Sequence, residues 1–259
     1  MSRAIAESRS LALLPFTCRR GPIPSQQLPQ KAALMPLSRT AFLFDLDGTL
    51  VDSVYQHVLA WHEALQSEGI RLPVWQIHRK IGMSGGLFAN MLLRETNLEI
   101  TADRLDRLRA THAEAFGRHG TTVRPLPGAV ELLRFLTDRG VPWAIATSGR
   151  MATAGPSIAS LGVDPGKVPV VTRDQVQHAK PDPDLFLAAA ERLNHPIEDA
   201  FVVGDSIWDI LAARRAKALA IGLLTGGYGE SELERSGAFR VFDSPADLLK
   251  HIDEVGVRR

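Results

Sequence analysis

From residue 40 onwards, short apolar runs alternate along the chain with stretches in which apolar residues recur at helical spacing. Each run is short and continuously apolar, a pattern typical of strands in a parallel sheet that is covered on both faces. The alternation predicts βαβ units, and therefore an α/β fold built on a parallel sheet. The predicted strands are residues 41–45, 142–147, 168–172, 200–205, 218–224 and, at a sheet edge, 239–243.

The stretches between these strands carry the pattern of amphipathic helices. In the first of them, Val130, Leu133 and Leu136 recur at helical spacing, and Gly140 is the residue type that commonly follows a helix. The last of them opens with a serine and a proline, which favour the start of a helix. The predicted helices are residues 129–140, 182–194, 208–218 and 244–255.

Residues 54–124 depart from this alternation. They contain three helical patterns and no strand candidate of comparable quality. An all-helical insertion after the first strand is the simplest explanation. We therefore predict a core domain made of residues 40–53 and 125–259, and a helical domain made of residues 54–124.

The first 39 residues have a different composition from the rest. They hold five arginines, one lysine and a single acid, together with five prolines and five serines, and show no sustained apolar periodicity. We interpret them as a disordered extension. An Arg-rich, acid-poor N-terminus also fits an organelle transit peptide, whereas Met35 offers an alternative translation start. We expect a cytoplasmic protein, with organellar import as the weaker alternative.

The charge balance of the remaining chain argues against a nucleic-acid-binding protein. Without the six basic residues and one acidic residue of the extension, the 30 basic and 29 acidic residues of the chain become 24 and 28. A mildly acidic body lacks the positive surface that phosphate backbones require. No apolar stretch is long enough for a membrane helix, and Cys18 alone cannot form an internal disulfide.

The segment FLFDLDGTLVDS places Asp45 and Asp47 at the end of the first predicted strand. Residues two apart in a strand point to the same side, so their carboxylates repel, and the pKa of at least one rises unless a cation lies between them. Mg²⁺ binds such hard oxygen ligands, and an aspartate can also attack phosphorus to form an aspartyl-phosphate. A neighbouring carboxyl with raised proton affinity can then protonate the leaving oxygen.

Three further motifs follow in an order that resembles a known family. Thr147 ends the strand in WAIATSGR, Lys180 precedes proline in HAKPDPDLF, and Asp205 and Asp209 follow the strand in FVVGDSIWDI. Open α/β sheets bind ligands at the carboxyl ends of their strands, where these residues are expected. With DLDGTLVDS as a first motif, residues 41–250 resemble subfamily I of the haloacid dehalogenase superfamily, in its phosphoglycolate phosphatase and β-phosphoglucomutase branch.

The resemblance implies a fold and a set of roles. The fold is a Rossmann-like, doubly wound parallel sheet with an inserted α-helical cap domain. Asp45 is expected to be the nucleophile and Asp47 the acid/base. Mg²⁺ is expected to bind the Asp45 carboxylate, the Asp47 backbone carbonyl and the Asp205 carboxylate, with Asp209 as a further acidic partner, directly or through water.

The other motif residues are expected to bind the phosphoryl group. Thr147 and Lys180 would offset charge on its oxygens, and Lys180 would also hold Asp45 ionised. The backbone amides of Ser148 and Gly149 are expected to be free to donate to phosphate oxygens.

The helical insertion stands where members of this family carry a lid over the active site. Closure over a substrate would exclude bulk water, which favours small phosphorylated metabolites over phosphoproteins. His57 is either a gate residue near Asp47 or a histidine that packs at the hinge, and both interpretations stay open. Arg79 is either a contact for an anionic substrate or part of a solvated face.

The resemblance leaves several functions in competition. The first is a Mg²⁺-dependent phosphatase that acts through an aspartyl-phosphate, and the second is a phosphomutase of the β-phosphoglucomutase type. Haloacid dehalogenation is third, because it has little use for Asp47. An inactive binding protein on the same fold is a different class of alternative, which the complete set of carboxylates and lysine does not favour. The chain is expected to be a monomer or a homodimer.

Overall fold

The computed structural model describes residues 40–83, 85–96 and 101–258. Six strands form one sheet, every neighbouring pair is parallel, and the spatial order is β3-β2-β1-β4-β5-β6. The predicted α/β class and doubly wound parallel sheet are therefore confirmed. The strands are β1 (Ala41–Phe44), β2 (Trp143–Ala146), β3 (Val170–Val171), β4 (Ala200–Gly204), β5 (Leu219–Leu223) and β6 (Arg240–Phe242).

Ten α-helices are found among the described residues. They are α1 (Val54–Ser67), α2 (Val74–His78), α3 (Gly85–Thr96), α4 (Ala102–His119), α5 (Ala129–Asp138), α6 (Met151–Ser160), α7 (Asp184–Arg192), α8 (Ile207–Ala216), α9 (Glu230–Ser236) and α10 (Pro245–Lys250). The sequence pattern did not predict α2, α6 or α9. Helix α6 contains Pro156, a poor helix former, and α2 and α9 are only five and seven residues long.

Both faces of the sheet are buried, which explains why the strands read as continuous apolar runs. In β1, Phe42 and Phe44 point into a cluster with residues of α5, α6 and α10. The alternate residues Ala41 and Leu43 point into a second cluster with residues of α7 and α8. Successive side chains of a strand point to opposite faces, so a strand packed on both sides has no polar positions.

The helical insertion has a hydrophobic core of its own. Helix α1 packs against α4, and the cluster includes Val58, Leu65, Leu92 and Leu108. No strand lies among the described residues of the range 54–124. The division into a core domain and a helical domain at residues 53 and 124 remains a prediction.

The two chain connections between the sheet and the insertion run side by side. Val51 forms an antiparallel bridge with Pro125, and the Asp52 amide donates to the Arg124 carbonyl over 2.9 Å. The insertion therefore leaves and re-enters the core at a single point, directly after the first motif.

Among the residues with described positions, no helix is both long and apolar enough to cross a membrane. The predicted disordered extension of residues 1–39, with Cys18 and Met35, lies outside the described residues.

We predict that Gly128→Ala destabilises the protein more than Gly140→Ala. Both glycines have positive φ angles, 82° and 65°, so alanine is strained at each. A Cβ at Gly128 would also lie 2.5 Å from the Ala246 amide nitrogen, whereas a Cβ at Gly140 would meet nothing within 4 Å. Thermal unfolding should show a loss of about 1 kcal/mol for Gly140→Ala and roughly 2–4 kcal/mol for Gly128→Ala. Equal losses would contradict the close packing of α10 against the start of α5.

Candidate active site

The motif residues meet at the carboxyl edge of the sheet, around its central strand. Asp45 follows β1, Thr147 follows β2, and Asp205 follows β4; β1 lies between β2 and β4. Parallel strands place these ends side by side, so residues more than 150 positions apart become neighbours. The Thr49 hydroxyl, for example, donates to Asp205 Oδ1 over 2.9 Å.

Lys180 is fully buried and lies between two carboxylates. Its Nζ forms an ion pair with Asp45 Oδ1 and another, at 2.8 Å, with Asp209 Oδ1. Burial by itself would lower the pKa of Lys180, but the charges of Asp209 and Asp45 outweigh it and raise the pKa. The lysine is therefore a permanent cation at this site.

Asp45, Asp205 and Asp209 form a buried acidic cluster, in which each offers a carboxylate oxygen within 4.8 Å of the others. Burial, followed by the nearby carboxylates, raises the pKa of Asp45 to about 7, although Lys180 opposes the shift. Burial and the charges of Asp209 and Asp45 likewise raise the pKa of Asp205 well above its usual value. Full ionisation of this cluster therefore needs more positive charge than Lys180 supplies.

The negative charge that Lys180 leaves unbalanced shows whether a divalent cation fits the site. Three ionised carboxylates and one lysine leave two negative charges in a site that is almost closed to solvent. Asp209 Oδ1 is buried and accepts no hydrogen bond, although it forms the ion pair with Lys180 Nζ at 2.8 Å. Carboxylate oxygens are the ligands that Mg²⁺ prefers, so the charge and the donor atoms both fit the expected cation.

Asp47 has a different environment from Asp45. Ser53 Oγ donates to Asp47 Oδ1 over 2.6 Å, and His57 Nε2 lies 3.3 Å from the same oxygen. Burial would raise the pKa of Asp47, but the contacts with His57 and Ser53 outweigh it and lower the pKa. The sequence-based expectation that this aspartate has a raised proton affinity is therefore wrong: burial, followed by the nearby carboxylates, raises the pKa of Asp45 instead.

The loop after β2 is arranged partly as expected. Thr147 is buried beside the acidic cluster, and Ser148 Oγ donates to the Gly82 carbonyl of the insertion over 3.0 Å. The Gly149 amide donates to Thr147 Oγ1 over 2.9 Å. The expectation that this amide is free to bind phosphate is not supported, since a side chain of the same loop already accepts its hydrogen bond.

A cavity of about 300 Å³ lies between the sheet edge and the helical insertion. Such a volume suits a small ligand. The sheet edge contributes acidic and hydroxyl groups, and the insertion contributes mainly aromatic and basic side chains. Its lining includes Asp45, Asp47, Thr147, Trp61, Phe88 and His112.

The two predicted contacts from the insertion lie in different places. His57 lines the cavity and reaches Asp47, which is the position expected for a gate residue. Arg79 is not among the cavity's lining residues; its guanidinium pairs with Glu232 and lies 4.0 Å from the centre of the Tyr228 ring. The geometry therefore supports a docking role for Arg79, between the insertion and the core, rather than substrate contact.

His112 lines the cavity and was missed by the sequence analysis. It lies four residues after Leu108 and four before Phe116, so it belongs to the buried face of α4. A histidine at helical spacing between buried apolar residues was the only available signal, and such a residue usually packs without a chemical role.

The family scan and the searches of known proteins agree with this geometry. A model of haloacid dehalogenase-like hydrolases matches residues 40–217. Hexitol phosphatase A of Escherichia coli K12 is 34% identical over 181 residues, covering 68% of this chain and 78% of that protein. A phosphoglycolate phosphatase of Agrobacterium fabrum is 32% identical over 197 residues, covering 74% and 82%. The crystal structure of a hydrolase from Pseudomonas syringae superposes with a TM-score of 0.82 at 55% identity, covering 84% of this chain and all of that one.

We predict that the metal-free protein becomes less stable as the pH rises from about 4 to about 7. The pKa of Asp45 is 3.8 in an unfolded chain and about 7 in the fold, so the folded state binds more protons in this window. The free energy of unfolding then falls with rising pH, by on the order of 4 kcal/mol from this group. Denaturant unfolding with EDTA across this range, compared with Asp45→Asn, isolates the effect. Parallel curves for the two proteins would contradict the raised pKa.

We also predict that Lys180→Met destabilises the metal-free protein by roughly 3–5 kcal/mol at pH 8, because it leaves buried carboxylates without a cation. The loss should shrink at pH 5, where Asp45, whose pKa is raised to about 7, is protonated. Lys80→Met is the matched control, since Lys80 is also buried but pairs with one carboxylate, the partly exposed Glu95, at 2.8 Å. Chemical denaturation measures both, and an equal loss in the two variants would contradict the role of Lys180.

Proposed function

The chain belongs to the haloacid dehalogenase-like hydrolases, and from this premise we propose that it is a Mg²⁺-dependent phosphatase of small phosphorylated metabolites. The relatives named phosphatases support the reaction class. The observation that carries the proposal is the contact of Asp45, which lines the cavity, with the buried Lys180. A carboxylate so placed can meet the substrate as a nucleophile.

Asp45 is the nucleophile in this proposal. One of its oxygens attacks the phosphorus, an oxygen–phosphorus bond forms to the carboxylate, and the bond to the leaving oxygen breaks. Lys180 favours the ionised form of Asp45, and it lies close enough to offset charge on the phosphoryl oxygens together with Thr147. Water then attacks the phosphorus of the aspartyl-phosphate, which releases phosphate and restores Asp45.

Asp47 is the acid/base. It gives a proton to the leaving oxygen in the first step and takes one from the attacking water in the second. Its lowered pKa favours the base form, so in the first step Asp47 must receive the proton that it passes on from a neighbouring acid. The imidazole of His57, which belongs to the helical insertion and faces Asp47 Oδ1, is the group placed to supply it, whereas the Ser53 hydroxyl only orients the carboxylate.

The proposed cation site consists of the Asp45 and Asp205 carboxylates and the backbone carbonyl of Asp47. Mg²⁺, when bound, supplies positive charge that offsets the transferring phosphoryl group. Asp209 is proposed as a further acidic partner of the cation, directly or through water. Its Oδ1 also pairs with Lys180 and its Oδ2 accepts a hydrogen bond from Ser206 Oγ, so it helps to orient the lysine.

The cavity and the relatives together indicate the substrate class. The space of about 300 Å³ suits a metabolite of the size of a phosphorylated sugar, polyol or short acid. The relatives named hexitol phosphatase, phosphoglycolate phosphatase and N-acetylmuramic acid 6-phosphate phosphatase act on esters of this kind. We therefore propose a phosphorylated sugar, sugar alcohol or hydroxy acid as the substrate.

The proposal predicts release of inorganic phosphate from p-nitrophenyl phosphate in the presence of Mg²⁺ and loss of that activity with EDTA. Asp45→Asn should lower kcat by at least about a thousandfold, because the nucleophile is lost. Asp52→Asn is the control: Asp52 is an exposed carboxylate of the same segment, and this variant should stay active.

Turnover in EDTA, or turnover retained by Asp45→Asn, would overturn the mechanism. A panel of hexitol, hexose and glycolate phosphates, read by released phosphate, then identifies the substrate. A phosphomutase would move the phosphoryl group within a sugar phosphate without net release, and an inactive binding protein would turn over none of the panel.

A further inference from the structure

Four aromatic rings from helices α1 and α4 stack beside the acid/base Asp47. The His57 ring lies on the Phe116 ring with centroids 3.9 Å apart and planes 3° apart. His112 stacks on Trp61 at 4.3 Å, and its ring lies edge to edge with that of His57, with centroids 5.3 Å and planes 13° apart. A stacked aromatic neighbour on one face of each histidine restrains the plane of its ring, so the ring nitrogens form hydrogen bonds within that plane.

His57 connects Asp47 to His112 through its two ring nitrogens. Its Nε2 lies 3.3 Å from Asp47 Oδ1, and its Nδ1 lies 3.1 Å from His112 Nε2. A carboxylate accepts hydrogen bonds, so the proton of His57 must be on Nε2 for this contact to form. A neutral His57 then accepts at Nδ1 from His112, whereas a doubly protonated His57 donates from Nδ1 to His112. A neutral His57 with its proton on Nδ1 would leave Nε2 bare, so the contact supports donation to Asp47 when His112 carries its proton on Nε2 or when His57 is doubly protonated.

His112 suits this role because it is neutral and enclosed. Burial, followed by the charge of His57, lowers its pKa to about 3, although Asp47 opposes the shift. A neutral imidazole has one donor and one acceptor nitrogen, so it can serve either form of His57. A purely apolar residue would fill the same space between Trp61 and His57 but would leave Nδ1 of His57 without this partner.

We propose that His112 is a positioning residue for the acid/base: it acts through His57 and holds the proton of His57 Nε2 towards Asp47. This inference rests on the proposed function. It assigns to helix α4, 65 residues along the chain from Asp47, a share in the protonation of the leaving group. The competing interpretation is that His112 only packs between Trp61 and His57.

The test uses three variants of the full chain. His112→Phe keeps the ring stack and removes the hydrogen bond, and His112→Gln places an amide nitrogen near the former position of Nε2. His119→Phe is the control, because His119 lies on the same helix but pairs with Glu63, away from Asp47. Thermal unfolding should show all three folded.

The readout is kcat/KM for two substrates of similar shape, phenyl phosphate and p-nitrophenyl phosphate. Phenolate is more basic than p-nitrophenolate, so its departure depends more strongly on protonation of the leaving oxygen. His112→Phe should lower kcat/KM for phenyl phosphate by about tenfold or more and for p-nitrophenyl phosphate by less than about threefold. His112→Gln should recover most of the loss, and His119→Phe should match the wild type. Equal losses for both substrates, or no recovery in His112→Gln, would overturn the proposal, because packing defects do not distinguish leaving groups.

A measurement without substrate separates this inference from the proposed function. The ¹⁵N shifts of the His57 imidazole, recorded by NMR in the wild type, should show the proton on Nε2. His112→Phe should change the proportion of that tautomer, and His112→Gln should restore it. Unchanged His57 shifts in His112→Phe would overturn the inference even if the enzyme is a phosphatase. Failure of the wild type to hydrolyse any phosphate ester would overturn the proposed function, and the NMR comparison would still decide the role of His112.

Discussion

The site depends on the balance between buried negative charge and one buried lysine. Ionised carboxylates lose their hydration when they leave water and are stable only beside a compensating charge. Lys180 supplies that charge to Asp45 and Asp209, and it reaches them from a loop far along the chain. The positions of the strand ends and the packing of α7 and α8 against the sheet bring these three side chains together.

The two aspartates of the first motif show how neighbours separate chemically identical groups. Both follow the same strand, yet the pKa of Asp45 rises and that of Asp47 falls. The difference comes from their partners. Asp45 faces other carboxylates as well as Lys180, whereas Asp47 faces the hydroxyl of Ser53 and the imidazole of His57. Groups whose pKa values are moved apart in this way can take different roles in one reaction.

The helical insertion takes part in the site from two directions. On the cavity side, His57 contacts Asp47 and places a stack of aromatic rings beside it. On the far side, His78 Nε2 donates to the Gly226 carbonyl over 2.8 Å, and Arg79 pairs with Glu232. The loop that carries Gly226 also contacts the first motif, through the hydroxyl of Thr225 and the Gly48 carbonyl. The same loop therefore contacts both the helical insertion and the first motif.

The sequence by itself determined the parallel sheet, its strand positions and the motif residues at the strand ends, because apolar periodicity and short motifs are local properties of the chain. It left open whether His57 is a gate residue near Asp47 or a histidine that packs at the hinge. Only the tertiary structure decided which aspartate has the raised pKa, which carboxylate pairs with Arg79, and that His112 reaches Asp47 through His57. These outcomes depend on contacts between side chains that the fold brings together, some of them 55 or more positions apart, such as His57 with His112 and Arg79 with Glu232. Apolar periodicity and short motifs do not specify such contacts. The chemical environment of the motif residues is therefore defined only in the folded chain.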